Sequence, residues 1–189
     1  APLYKKSEVV DQCSTLTLSF SGNYGIEFRA YNEAAAYRFT TTRKGDYTVK
    51  HEISEFAFEK DNNVYCSYTR SNSKKTFEQQ YFQSFEGPYF IEPMTKMGKQ
   101  RLMYLPVLVD MGDKKVCITE TDLVNYPGMY LYNGDQNTSL ESHFATVPNE
   151  IEQGGHNMLQ GLVKSRKPYI AVLNGARTFP WRICNVARN

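Results

Sequence analysis

The chain has 189 residues, enough for one domain with a proper core. Apolar residues make up 41% and charged residues 22%, which reads as a globular chain, neither disordered nor membrane-spanning. The formal charge is +2, from 22 basic against 20 acidic residues, and that balance argues against nucleic acid or an anionic membrane as the main partner. The longest apolar run, Tyr104 to Val109, is too short to cross a bilayer. No charged, apolar and small-residue leader opens the sequence at Ala1, so any secretion signal is expected to have been removed or to lie outside this sequence.

With 14 Tyr and 11 Phe but one Trp, the composition suits pleated, half-buried surfaces and leans towards β structure. Leu16, Leu18 and Phe20 alternate with Thr and Ser, Ser21-Gly22-Asn23 supplies turn chemistry, and Tyr24, Ile26, Phe28 and Ala30 continue at period two. Further strands are predicted at Ala36–Phe39, Tyr47–Val49, around Phe56 and Phe58, and at Val64–Tyr68, separated by Lys44-Gly45-Asp46 and Asp61-Asn62-Asn63 turns. Residues 69–100 break the rhythm: Arg70 to Lys75 is polar, and Gly87, Pro88 and Pro93 exclude a long helix. This stretch reads as a long excursion with short strand pieces, the kind of loop that carries function on a β scaffold.

Leu102 to Val109 is apolar at almost every position, which predicts a central strand covered on both faces. Strands follow at Val116–Ile118, Met129–Tyr132, Tyr169–Leu173 and Phe179–Val186, with Asn133-Gly134 as a hairpin signal. Met158, Leu159, Leu162 and Val163 predict one short helix over His156–Ser165. The fold class is therefore a mainly antiparallel β-sandwich with one short helix.

The four cysteines, Cys13, Cys66, Cys117 and Cys184, lack C-x-x-C spacing, which argues against structural zinc and favours free thiols packed as small hydrophobes. His51, His143 and His156 sit in separate contexts and read as surface or capping residues. No metalloprotease, nucleophile-elbow, P-loop or EF-hand pattern occurs, and no carboxylate pair is marked as acid and base. The residues by themselves do not advertise an enzyme.

Four stretches, taken together, carry a resemblance. Phe28-Arg29-Ala30-Tyr31-Asn32-Glu33-Ala34-Ala35-Ala36-Tyr37-Arg38-Phe39 resembles the strand pair F-R-x-Y-x-D-G-x-x-F-R-Y of glycoside hydrolase family 97. Ile118-Thr119-Glu120-Thr121-Asp122-Leu123-Val124-Asn125-Tyr126-Pro127-Gly128-Met129 is similar to that family's I-x-E-A-A-L-V-D-Y-P-x-M, with Thr121-Asp122 in place of Ala-Ala. Glu152-Gln153-Gly154-Gly155-His156-Asn157 and Arg177-Thr178-Phe179-Pro180-Trp181-Arg182 resemble its closing segments.

The resemblance implies an N-terminal β-supersandwich, here incomplete, of a larger enzyme whose (β/α)₈ catalytic barrel lies outside residues 1–189. It implies a calcium-dependent hydrolase of α-glucosides or α-galactosides, with the catalytic acid and the base or nucleophile in the barrel. It also implies one calcium-ligating glutamate from this domain. The family's E-x-x-Y is similar to Glu78-Gln79-Gln80-Tyr81, which nominates Glu78 as the metal ligand, with Tyr81 and the competing carboxylate Glu120 facing the active site. Trp181 and Arg182 are expected at the domain junction. The further expectations are no catalytic residue and no tight calcium site in this chain alone, a periplasmic or secreted location, the barrel and an oligosaccharide as partners, and self-association where edges and apolar area are left open. A carbohydrate-binding or purely structural sandwich is the alternative class.

Overall fold

The structure, a computed structural model, describes residues 8, 10–69, 76–81 and 87–188. Its main element is a curled antiparallel sheet. In sheet order it runs through β1 (Ser14–Phe20), β2 (Tyr24–Ala30), β3 (Ala34–Thr41), β16 (Trp181–Arg188), β9 (Lys114–Thr121), β8 (Met103–Asp110), β10 (Tyr130–Tyr132), β11 (Ser139–His143) and β5 (Glu55–Ala57). β6 (Asn63–Tyr68) and β7 (Phe90–Pro93) branch from β8, and β15 (Arg177–Thr178) adds to β3. Two separate pairs complete the fold: β4 (Asp46–Val49) with β14 (Ala171–Asn174), and β12 (Pro148–Gly154) with β13 (Gln160–Arg166). The antiparallel sandwich expected from the sequence is the fold observed, and no helix among the described residues is long and apolar enough to cross a membrane.

The sheet curls because its alternating apolar side chains need a partner layer. Val107 and Val109 on β8, Ile118 on β9 and Val64 on β6 pack with Leu131, Leu140 and Phe56 from β10, β11 and β5 in one buried cluster. The core covers only the middle of the sheet. Leu16, Leu18 and Phe20 of β1 share a face with Phe28, Ile26 and Tyr24 of β2, and no residue of β1 is buried. At the tip of that hairpin Gly22 and Asn23 take left-handed φ values of 104° and 64°, so the glycine is required by the turn.

Three expectations change. β8 is central, pairing with β9, β6 and β10, but only Met103, Val107 and Val109 are fully buried, while Pro106 on the other face is exposed. The helix predicted over His156–Ser165 is instead a 3₁₀ turn, His156–Met158, followed by β13. Asn157 and Met158 have φ of 53° and 59°, which reverses the chain into a hairpin. The apolar residues of this ribbon have no buried side to select alternation, so their spacing carried no true period. The helical turn that does form is α1 (Phe77–Gln80), inside the excursion. Residues 70–75 and 82–86 of that excursion lie outside the described residues. Asn133-Gly134 opens a wider loop: Asn133 is buried and donates to the carbonyls of Met94 (3.2 Å) and Asn137 (2.8 Å). All four cysteines are free thiols, Cys66 buried and the others half-buried.

The most demanding contact is ionic. Arg182 on β16, with 1% of its side chain exposed, donates from Nε and Nη2 to Glu52 (2.7 and 3.0 Å) and from Nη1 to Glu120 on β9. Tyr126 donates to Glu52 (2.9 Å), and the Met129 N–H donates to Glu120 (2.9 Å). Burial pulls the Arg182 pKa down, but the bonds from Glu52 and the charge of Glu120 outweigh it and hold the guanidinium above its ordinary value. Arg182→Met leaves two buried carboxylates without their cation, and urea unfolding is expected to show a loss of about 3–5 kcal/mol. Adding Glu52→Gln and Glu120→Gln to that variant is expected to recover part of the loss.

Candidate functional site

α1 is a single turn, too short to stand without help. Its cap is reciprocal: the Thr76 hydroxyl accepts from the Gln79 N–H, and the Gln79 side chain accepts from the Thr76 N–H (3.1 Å). Gln80 then fixes the turn to the scaffold. Its side-chain oxygen accepts from the Thr69 hydroxyl (3.1 Å) and the Leu102 N–H (2.8 Å), and its amide donates to the Gln100 carbonyl (2.9 Å). Gln80 is fully buried, so these bonds are short of competition from water.

This anchoring sets Glu78 and Tyr81 beside the outer strands. The Tyr81 hydroxyl shares a hydrogen bond with Nε2 of His143 on β11. Phe77 packs on the His143 ring at 4.0 Å between centroids and on Tyr132 at 5.1 Å. Tyr81 lies 5.9 Å from Tyr130, and Tyr130 lies 5.5 Å from Tyr104, so three tyrosines form a row. Arg166, at the base of β13, closes the cluster: its guanidinium sits 4.8 Å from the Tyr81 ring centre. It donates to Glu78 (2.6 Å) and to the Thr146 carbonyl (2.6 Å).

Burial drives the electrostatics. It depresses the His143 pKa to about 4 and raises that of Tyr81 to about 12, with the Glu78 charge adding to the second shift. At neutral pH the imidazole and the phenol are both uncharged, and neither is matched to general acid–base work near pH 7. The cluster is suited to hold and orient a polar partner.

Glu120 lies at the far end of the same aromatic row, in a depression it shares with Tyr104, Met129 and Tyr130. Only 10% of its side chain is exposed, and its oxygens take the Arg182 and Met129 donors described above. Trp181 and Arg182 make their contacts inside this domain. Arg29 and Arg38 stack on the Trp181 ring at 4.7 and 4.3 Å, and Glu27 bridges the two guanidiniums. Arg38 also reaches Asp122 (3.7 Å). With both cations on its ring, the indole is buried. Sequence reasoning missed His143, Arg166, Tyr104 and Tyr130. Tyr104 and Tyr130 carry strand periodicity, but nothing local marks Arg166 as the partner of a residue 88 positions away.

Among the described residues, no group of three or more His, Cys, Asp or Glu side chains converges to hold a metal ion. Glu78 is nearly half exposed, at 46%, and Arg166 holds one of its two oxygens. It can offer a cation the other oxygen.

A curled antiparallel sandwich of this construction is also seen in solved enzymes. The fold superposes on a glycoside hydrolase family 97 enzyme from Pseudoalteromonas sp. strain K8 in complex with acarbose. The TM-score is 0.58 at 14% sequence identity, over 93% of this chain and 26% of that one. A variant of the same enzyme in complex with panose gives the same values. The likeness is one of fold, and it places the chain in the class of curled antiparallel β-sandwich domains. The glycosyl-hydrolase 97 N-terminal family model matches residues 1–189, and the chain belongs to that family. It is 44% identical over 187 residues to a retaining alpha-galactosidase of Bacteroides thetaiotaomicron. The match covers 98% of this chain and 28% of that protein.

The His143 shift sets a pH dependence. A group whose folded pKa lies below its ordinary 6.5 binds its proton more readily in the unfolded chain, so stability is intact above 6.5 and falls as the pH drops towards about 4. Thermal midpoints measured between pH 7 and pH 4 are expected to decline, and His143→Gln is expected to flatten that decline. The further loss at lower pH stays, because Lys115 holds the Asp110 carboxyl below its ordinary 3.8.

Proposed function

We propose that this chain is the non-catalytic N-terminal domain of a calcium-dependent glycoside hydrolase acting on α-linked galactosides. The observation that carries the reading is the family match along the whole chain, joined to the 44% identity with a retaining alpha-galactosidase. Coverage of only 28% of that relative supports a separate catalytic domain elsewhere in the parent chain. The site supports the same division of labour, since neither Tyr81 nor His143 is tuned for proton transfer at neutral pH.

In this reading Glu78 gives its available oxygen to a calcium ion whose other ligands come from the catalytic domain. When bound, the ion would supply positive charge to orient the sugar and offset charge developing at the glycosidic oxygen. Arg166 keeps the Glu78 carboxylate at a fixed angle, Gln80 locks the turn that carries it, and the tilted rings of the Tyr81–Tyr130–Tyr104 row give an aromatic flank for the sugar's C–H face. Glu120 acts from behind by keeping Arg182 neutralised. A periplasmic or secreted location goes with this reading, as does self-association of the domain when its apolar faces lack their neighbours.

The test is made in the parent protein with a nitrophenyl α-galactoside. Glu78→Gln is expected to lower the calcium affinity by at least tenfold, which corresponds to about 1.4 kcal/mol, and to make hydrolysis depend on added calcium. Unchanged affinity and unchanged turnover would remove Glu78 from the metal site. Residues 1–189 by themselves are expected to give no hydrolysis above background, and measurable turnover would overturn the non-catalytic assignment.

A further inference from the structure

Between the β2–β3 end of the main sheet and the separate β4–β14 pair lies a cleft of about 520 Å³, within the size range of small-ligand sites. Both walls are fixed by backbone bonds. The Gly175 N–H donates to the Gly45 carbonyl (3.0 Å) and the Ile170 N–H to the Val49 carbonyl (2.8 Å), which holds the β4–β14 pair at both ends. On the other side the Thr42 N–H donates to the Asn23 carbonyl (3.1 Å) and the Phe179 N–H to the Phe39 carbonyl (2.9 Å). A cleft held in this way loses little freedom when it is filled. It shares no residue with the Glu78 cluster.

The lining brings three kinds of chemistry together. Aromatic rings come from Tyr24, Tyr47, Tyr126 and Phe179, the last two meeting edge to face at 5.6 Å with 83° between their planes. Hydroxyls come from Thr40 and Thr48. Cations come from Lys50 and from Arg43, whose guanidinium lies 5.7 Å from the Tyr47 ring centre. Arg177 stands beside them, 5.5 Å from the ring centre of Phe179.

Among the described residues none of these three cations is paired with a carboxylate, whereas Arg29, Arg38, Arg166 and Arg182 each hold one. Arg177 commits two donors to the carbonyls of Val124 (2.8 Å) and Thr178 (3.1 Å), which fix its guanidinium without neutralising it. Glu52 is the single carboxylate among the described residues lining the cleft. Its two oxygens are already taken by Arg182, Tyr126 and Ser54. The lining therefore carries positive charge that nothing in this domain offsets.

We infer that this cleft binds an acidic sugar, a hexuronate residue within an oligosaccharide. The cations answer its carboxylate, the threonine hydroxyls its ring hydroxyls, and the aromatic faces its C–H bonds. A neutral sugar leaves the cations unanswered. A flat aryl acid fits less well, because Tyr126 and Phe179 stand nearly perpendicular and do not clamp a plane from both sides. The inference goes beyond the function proposed above and stands whether or not Glu78 holds calcium.

The test is titration calorimetry on the full parent protein, with trigalacturonate, the neutral galactotriose and 4-hydroxycinnamate as probes. Saturable binding is expected for trigalacturonate alone, and added salt is expected to weaken it. This comparison needs no variant. Arg43→Gln with Lys50→Gln is then expected to weaken binding by about tenfold or more, and Tyr24→Ser, at an exposed ring, to weaken it several-fold. Lys60→Gln with Lys99→Gln removes the same charge from exposed positions elsewhere and is expected to leave the affinity unchanged. Thermal midpoints are taken for every variant, so that a folding defect is told apart from a lost contact. No saturable binding of trigalacturonate, or equal binding of either of the other probes, would overturn the inference. So would an affinity untouched by the Arg43 and Lys50 substitutions, or lowered as much by those at Lys60 and Lys99. Hydrolysis of the nitrophenyl α-galactoside by the unsubstituted parent reports on the functional reading separately, and its absence leaves this site standing.

Discussion

A buried arginine held by two carboxylates organises this domain. Arg182 stands on the strand that joins the β1–β3 layer to the rest of the sheet, and it has almost no contact with water. A charge in that position is tolerable only with its partners in place, so Glu52, Glu120, Tyr126 and the Met129 N–H must arrive together. The constraint fixes which strands meet at β16. Around it, Trp181 lies under Arg29 and Arg38, and Arg38 reaches on to Asp122.

This explains what the family-like motifs are doing. The segment Phe28–Phe39 supplies Arg29 and Arg38, the segment Ile118–Met129 supplies Glu120, Asp122 and Tyr126, and the segment Arg177–Arg182 supplies Trp181 and Arg182. Three stretches far apart in sequence converge on one joint. Their charged and aromatic side chains hold one another across that joint, which gives the three motifs an architectural part. The stretch Glu152–Asn157 differs, for it runs to the tip of the β12–β13 ribbon, where only Gly154 is buried.

Strand identity was readable where one face is buried, because burial imposes period two, as in β6 and β8. It failed at Met158–Val163, where a ribbon open on both faces imposes nothing and the accidental spacing mimics a helix. It also overstated β8, whose apolar run suggested two covered faces although one is open in this chain. The candidate site was half legible. Glu78 and Tyr81 lie together, as a shared turn requires, but His143 gains its character from Phe77, Tyr81 and Tyr132, which come from other elements. Single-residue context cannot show a depressed imidazole, nor the ion pair that ties Arg166 to Glu78.

The place of β16 in the sheet has a consequence for how the molecule is made. This strand comes last in sequence among the described elements, yet it sits between β3 and β9. As the polypeptide emerges from a ribosome, the first three strands can zip to one another but stay unjoined from the middle of the sheet until residues beyond 180 appear. Contacts spanning so much sequence close slowly, and during that wait an apolar flank and an unpaired edge are on view. Until β16 slots in between β3 and β9, the two halves of the sheet have no strand to join them.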